Sequence, residues 1–497
     1  MRPILSDRNL ADFHRVWWQL TEFHHFRQVG DSAAATQALE AWRRSLAATG
    51  LRAPEAAVLM VEMWGAAGGG DLASVDALMS KLLATAGYAA LRPQERTLLL
   101  SLHAEWLLLR RDFRAEADVL VTAIDLTTSL GCEGHAIQLQ LAAAIARTGL
   151  GDFAVAQEHL DQLVALLPAV GAEKVHFAAI QVAAFRALRC GDRAEAEACL
   201  ERAFALGRHY GYVNTFLWLP WLVAELVGHA LARGIETEYA CRLVRARQLP
   251  PPADRPTAWP WPVRIHCLGP FEIHLDGIPL TFPGKAPKRP LALLSGLLSR
   301  GGRQVGAQAL WDALWPDRDG DAAADAFTMA LHRMRKLLGS DAAILLQDGR
   351  LSLNPALCWV DAWAFDACID TAEDIPALEA ALDLYRGHFL ESDAPHAWSL
   401  ATRDRHRAQM LRAIERVAGA EAAAGRHEVA ERIYRRGQSI DPLCEALFHG
   451  QIRSLLTLGQ RAEAARAFAR CADVLAATFS VRPSPDTSAL MRGLPTR

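Results

Sequence analysis

In the first half of the chain, Ala-rich amphipathic stretches such as GDFAVAQEHLDQLVALL (from Gly151) and GDRAEAEACLERAFALG (from Gly191) recur at an even pitch. Asp31, Asp71, Asp112, Asp152 and Asp192 stand 40, 41, 40 and 40 residues apart. Gly30, Gly70, Gly151 and Gly191 precede four of them, and Arg111 takes that place before Asp112. Glycine closes a helix in the left-handed conformation, aspartate caps the next, and small alanines let two helices approach. A pitch of this length predicts helix pairs stacked as a solenoid, each unit covering its neighbour's apolar face. The most apolar run, FLWLPWLVAELVGHALA from Phe216, carries Pro220, Glu225 and His229, so a buried helix pair fits it better than a membrane span.

The pattern stops at QLPPPADRPTAWPWP, residues 248–262, where consecutive prolines remove amide donors and fix φ, predicting a semi-rigid connection. Beyond it the period falls to two. Val263, Ile265 and Cys267 alternate with Arg264 and His266, and Phe271, Ile273 and Leu275 alternate with Glu272 and His274. Gly269-Pro270 and Asp276-Gly277 interrupt them, as turns between short antiparallel strands do. Three helices follow: KRPLALLSGLLSRGG from Lys288, GAQALWDALWP closed by Pro316, and DAFTMALHRMRKLLG at 325–339. AILLQDGRLSLN then reads as a hairpin about Asp348-Gly349. Strands, three helices and a hairpin are the order of a winged helix with an amino-terminal sheet. Farther on, Gly425 and Gly459 lie 34 residues apart, each before an Ala/Glu-rich helix, which is the tetratricopeptide period.

The first half resembles the tetratricopeptide-like helical domains of large bacterial regulators. LGPFEIHLDGIPL, LLSGLLSRGG, LWDALWPD, ALHRMRKLLG and QDGRLSLN resemble the OmpR-type DNA-binding domain of Streptomyces antibiotic regulatory proteins (SARPs). VDAWAFD from Val360, ALDLYRGHFL from Ala381, Trp398, Arg403, DPLCEAL from Asp441 and RPSPDT from Arg482 are similar to that family's bacterial transcriptional activator domain. The expected fold is mainly α: two helical-repeat blocks flanking an α+β winged helix. The expected divisions are 1–248 (repeats), 249–262 (linker), 263–357 (winged helix) and 358–497 (activator domain).

In the third helix, Phe327, Leu331, Met334 and Leu338 are spaced four, three and four, which defines a buried stripe. The other side holds Asp325, Met329, His332, Arg333 and Lys336, with Thr328 and Arg335 at its edges. Arginine pairs bidentately with guanine, lysine and histidine reach phosphates, and Thr or Met meets a thymine methyl, so this face suits a major groove. Arg350, after the hairpin turn, is the expected wing contact, and Lys285, Lys288 and Arg289 are expected phosphate clamps. The resemblance implies that Arg333 faces bases, that targets are direct repeats near promoters, and that the turn carrying Asp317, Arg318 and Asp319 can touch RNA polymerase, with an ordinary capped turn as the equal alternative.

Charge tempers this picture. The formal net charge is -3, so DNA binding has to be local. From Val263 to Val360 there are eleven Lys/Arg and nine Asp/Glu, a net of +2, and Asp319, Asp321 and Asp325 make the approach to the third helix acidic. Weak affinity per domain is therefore expected, and side-by-side copies, a homo-oligomer, multiply it. The nine cysteines form no CxxC pair, as in a cytoplasmic protein with reduced thiols, and the first residues show no apolar signal core. FPGKAPK lacks the first glycine and the hydroxyl of a phosphate loop, HEVAE lacks the second histidine of a zinc helix, and no GxSxG occurs. His24-His25 reads as packing or surface. No catalytic set, metal site or cofactor is expected. The sensor-like helices stand without an ATPase switch, as in a short regulator or one piece of a split system. Phe13, Trp17, Trp18, Phe23 and Phe26 read as an end cap more than a groove. The sequence thus points to a transcription regulator whose repeats hold a protein or small-molecule effector. The alternative is an interaction scaffold with a degenerate winged helix, favoured by the acids around the third helix.

Overall fold

The computed structural model describes residues 12–49, 55–69, 71–85, 92–131, 133–170, 173–215, 217–253, 255–282, 284–318, 320–370, 375–391 and 397–492. It is mainly α-helical and divides into two compact units, Met1–Trp259 and Pro260–Arg497.

The first unit is built from paired neighbours: α1 (Asp12–Val29) with α2 (Ser32–Thr49), α3 (Glu55–Gly69) with α4 (Leu72–Thr85), and α5 (Pro93–Leu109) with α6 (Phe113–Leu130). Then come α7 (Glu133–Leu150) with α8 (Phe153–Val170), α9 (Glu173–Cys190) with α10 (Arg193–Tyr210), and α11 (Pro220–Arg233) with α12 (Thr237–Arg247). The repeated Gly-Asp dipeptide marks the corners of four pairs, Arg111-Asp112 stands there between α5 and α6, and Gly234-Ile235-Glu236 joins the last pair. Gly30, Gly151 and Gly191 take φ of 82°, 85° and 86°, and the Asp31, Asp71, Asp112 and Asp192 carboxylates accept from the backbone amides of Ala34, Ser74, Ala115 and Glu195. Gly70 lies outside the described residues. The solenoid also returns on itself. Arg247 donates to the Gly30 carbonyl (2.7 Å) and Ser32 Oγ (3.1 Å), Asn214 donates to the Arg27 carbonyl (2.8 Å), and Lys174 Nζ donates to the Gln28 carbonyl. The proline-rich segment packs on its own unit: Leu249 and Trp259 are buried, and a Cβ at Gly228 would stand 2.8 Å from Pro252.

The second unit opens with β1 (Val263–His266), β2 (Glu272–Leu275) and β3 (Ile278–Pro279), an antiparallel run in which Asp276-Gly277 supplies two positive-φ turn residues. Helix α13 (Lys288–Leu298), strand β4 (Val305–Gly306), α14 (Ala307–Leu314) and α15 (Gly320–Leu337) follow. The hairpin β5 (Ile344–Gln347) and β6 (Arg350–Leu353) pairs with β4 as a three-stranded wing. Strand β7 (Cys358–Val360) lies parallel to β1 and completes the order β3-β2-β1-β7, so the sheet takes in three residues beyond the expected end of the winged helix at 357. Helices α16 (Asp361–Asp370), α17 (Ile375–Leu384), α18 (Ala397–Ala423), α19 (His427–Ile440), α20 (Glu445–Thr457), α21 (Arg461–Phe479) and α22 (Pro485–Ala489) form the carboxy-terminal block. One apolar core runs from Val263 through Leu310, Phe327 and Phe365 to Met410 and Leu447.

Candidate nucleic-acid interface

Helix α15 packs by the four-three-four stripe that its sequence spells. Phe327, Leu331, Met334 and Leu338 are buried, joined by Ala323, Ala326 and Ala330. The Phe327 ring meets Trp311 of α14 edge-on, centroids 5.6 Å apart, which fixes how far α15 rolls on its neighbours. The side turned away is set by helical geometry. Met329, His332, Arg333 and Lys336 fall at i, i+3, i+4 and i+7, and each is exposed. Met329 keeps 57% of its surface exposed, an apolar side chain among cations. Thr328 is exposed too, its hydroxyl donating to the Ala324 carbonyl at 2.9 Å.

Arg335 stands apart from these. Its guanidinium is half-buried and donates from Nε and Nη2 to the Ile344 carbonyl at 3.0 and 2.7 Å. It joins the last turn of α15 to the first wing strand. Arg350 begins β6 next to the Asp348-Gly349 turn and is exposed, with Nη1 3.1 Å from the Gln304 carbonyl. Lys288 and Arg289 are exposed in the first turn of α13, and Lys285 is exposed in the loop before it. At the first helical turn the unsatisfied backbone amides and the two cations favour a phosphate together. Gly306 caps α14 without a side chain.

The acids are equally visible. Asp321 and Asp325 are exposed on the first half of α15, so its charge runs from negative to positive along the helix. Asp317 and Arg318 are exposed in the turn between α14 and α15; Asp319 lies outside the described residues. Among the described residues, no group of three or more His, Cys, Asp or Glu is placed to hold a metal, and no helix is long and apolar enough to cross a membrane.

The end of α13 and the turn after it are braced from the carboxy-terminal block. Trp363 Nε1 donates to the Gly301 carbonyl at 2.9 Å, and Thr402 Oγ1 donates to the Ser299 carbonyl at 2.7 Å. Asp361 is buried and accepts from the amides of Cys267 (2.9 Å), Leu268 (3.0 Å) and Ala362 (2.8 Å). Sequence reasoning passed over Asp361, whose signal is an acid placed directly after the apolar run CWV.

Residues 364–494 match the family model described as bacterial transcriptional activator domain. The regulatory protein AfsR of Streptomyces coelicolor is 30% identical over 244 residues, which cover 46% of this chain and 24% of the relative. The chain thus spans about a quarter of the length of the curated relative it matches. Among solved structures, EmbR of Mycobacterium tuberculosis in complex with a low-affinity phosphopeptide is similar at 23% identity and a TM-score of 0.37, over 48% of this chain and 67% of that one. The apo form of the quorum sensor NprR from B. thuringiensis matches at 12% identity and a TM-score of 0.33, over 85% of this chain and 97% of that one.

Proposed function

We propose, from the premise that this chain is a SARP-type regulator carrying a bacterial transcriptional activator domain, that its winged helix reads double-stranded promoter DNA in the cytoplasm. The observation that carries the reading is the exposed row Met329, His332, Arg333 and Lys336, opposite a stripe that the core has fully taken up. With α15 in a major groove, Arg333 faces a base edge and Met329 or Thr328 a thymine methyl. Lys336 and His332 flank the phosphates. Lys285, Lys288 and Arg289 clamp the backbone from the start of α13, and Arg350 does so from the wing. Arg335, held by Ile344, positions the wing instead of reading DNA.

Asp321 and Asp325 oppose phosphate, so one copy binds weakly and paired copies on repeated half-sites bind usefully. The turn at Asp317, Arg318 and Asp319 is offered to RNA polymerase, and the amino-terminal repeats receive a protein or small-molecule effector. The divisions proposed for these roles follow the expected ones, with Cys358–Val360 added to the winged helix. The scaffold reading rests on the same exposed acids.

Binding of the full chain to fragments selected from genomic DNA tests the reading. Log affinity should fall steeply with log salt, because each neutralised phosphate releases counterions. Arg333→Ala should remove about 1–3 kcal/mol of discrimination between selected and random DNA, whereas Lys288→Ala should weaken both about equally and lower the salt slope by about 1. A flat salt response with both variants silent would leave the scaffold reading.

A further inference from the structure

The first unit carries an open cleft of about 1160 Å³ that the DNA reading does not use. Its wall is drawn from several repeats, including Arg110, Arg111, Trp218, Trp221 and Arg247. The volume lies somewhat above the usual range of small-molecule sites, so a ligand would fill part of it. Two guanidinium groups lie on two indoles there: Arg111 over Trp221 at 4.7 Å and Arg247 over Trp218 at 4.1 Å from the ring centroids. Such stacking spreads each guanidinium flat against the wall; Arg247 spends its edge on the Gly30 carbonyl and Ser32 Oγ, so it is the edge of Arg111 that is offered to an anion.

The carboxylates of the wall are already engaged. Asp76 pairs with Arg110 at 2.9 Å and accepts from Trp106 Nε1 at 2.8 Å, while Asp31 caps α2. Among the described residues Arg111 makes no ion pair. Behind the cavity, sharing Ser32, Ala67, Trp218 and Arg247 with it, a recess of about 30 Å³ holds Arg27 and Glu105. Arg27 Nε is buried there without a hydrogen-bond partner. Burial, then the charges of Arg27 and Arg247, push the Lys174 amine down to about 8.

The backbone supplies a separate pointer. At the corner where other repeats place a glycine, Arg111 holds φ at 59°. A side chain in that conformation is strained, and strain of this kind collects at functional positions. The one repeat that gives up its glycine does so for a guanidinium that lines the cavity.

We propose that this cleft binds a small organic anion with a flat apolar body, its negative group held by Arg111 and its body against Trp218 and Trp221. The cavity wall spans the return contacts of Arg247 with Gly30 and Ser32, so occupancy fastens the first helix pair to the last. The inference deepens the effector reading of the repeats. Its readout is the ligand and not the promoter, so loss of DNA binding and loss of this site are told apart.

The probes are anilinonaphthalene sulfonate, which has a flat body and one fixed charge, and N-phenylnaphthylamine, the same body without it. By fluorescence titration of the full chain, the sulfonate should bind about tenfold tighter, the worth of one charged contact. Arg111→Gly should weaken the sulfonate about tenfold, leave the uncharged probe unchanged, and keep or raise the melting temperature, since glycine suits the corner. Equal affinity of the two probes for the unaltered chain, no binding of the sulfonate, or unchanged sulfonate binding in Arg111→Gly would each overturn the proposal. If Arg111→Gly melts lower than the parent, the two-probe comparison decides alone.

Discussion

Single side chains set the limits of this molecule where they are buried and charged. Asp361 receives the amides of Cys267 and Leu268 at the end of β1 and that of Ala362 at the start of α16, with Cys267 Sγ 3.0 Å away. Burial, then the adjacent Asp361 charge, raises the Cys267 thiol well above its ordinary range, so it stays protonated and inert. Asp361→Ala strands the two β1 amides in the core, and urea denaturation of the second unit should show a loss of about 3 kcal/mol. In the first unit, burial, then the Arg27 charge, holds His24 down to about 4 while its ring meets Trp64 edge-on at 5.1 Å. A histidine lowered on folding takes up its proton in the unfolded chain first. Its contribution is therefore whole above its ordinary value of 6.5 and is lost as pH falls towards about 4. Melting curves of His24→Phe, compared with the parent across that window, should fall less steeply with acid. The sequence left His24 between packing and surface, because Trp64, which its ring meets, comes from another helix pair.

Elements show where local chemistry suffices and where it does not. The wing was legible from six residues: Asp348 and Gly349 take φ of 49° and 71°, the pair that a tight hairpin requires, and β5 and β6 follow in register. The stripe of α15 was legible because a helix repeats every few residues. Strand β7 was not, since its partner β1 lies far back in the chain, Val263 opposite Cys358, and CWV alone carries no register. Arg335 fell on the outward side by helical angle, yet a long side chain can turn back, and its guanidinium reaches the Ile344 carbonyl. The two arginines of α15 should therefore separate in experiment. Arg335→Ala should lower stability by about 1–2 kcal/mol in urea while the ratio of affinities for selected and random DNA holds. Arg333→Ala should do the reverse. A loss of that ratio in Arg335→Ala with stability intact would return Arg335 to the DNA face. The cleft of the first unit was the least legible feature, assembled from several repeats, with Arg111 in a glycine's place as its single mark in the sequence.

On the scale of whole units, the second one packs the winged helix and the helices of the activator-domain match around one core. Val263 and Ile265 of β1, Cys358 and Val360 of β7, Phe365, Tyr385 and Phe389, and Met410 and Ile414 of α18 belong to a single buried cluster. Leu268 bridges to Phe389, and Arg403 donates to the carbonyls of Phe389 and Leu390 at 2.9 and 2.8 Å. Gly302 has no room for a Cβ because Trp363 would stand 2.8 Å away. A winged helix cut at residue 357 thus loses β7, the acceptor for two β1 amides and the Trp363 brace together. Residues 263–357 alone should show no cooperative melting and rapid proteolysis, whereas residues 260–492 should melt in one transition. Two separated transitions in 260–492, or a well-folded 263–357, would mean that the shared core carries little energy. With one transition, the winged helix and the activator helices move as a single body. Under the proposed function, a signal would then act by changing how many copies sit side by side on DNA, not by swinging the reading head on its own block. Effector-dependent change in the Hill slope of DNA binding, at constant affinity for a single half-site, is the result this requires.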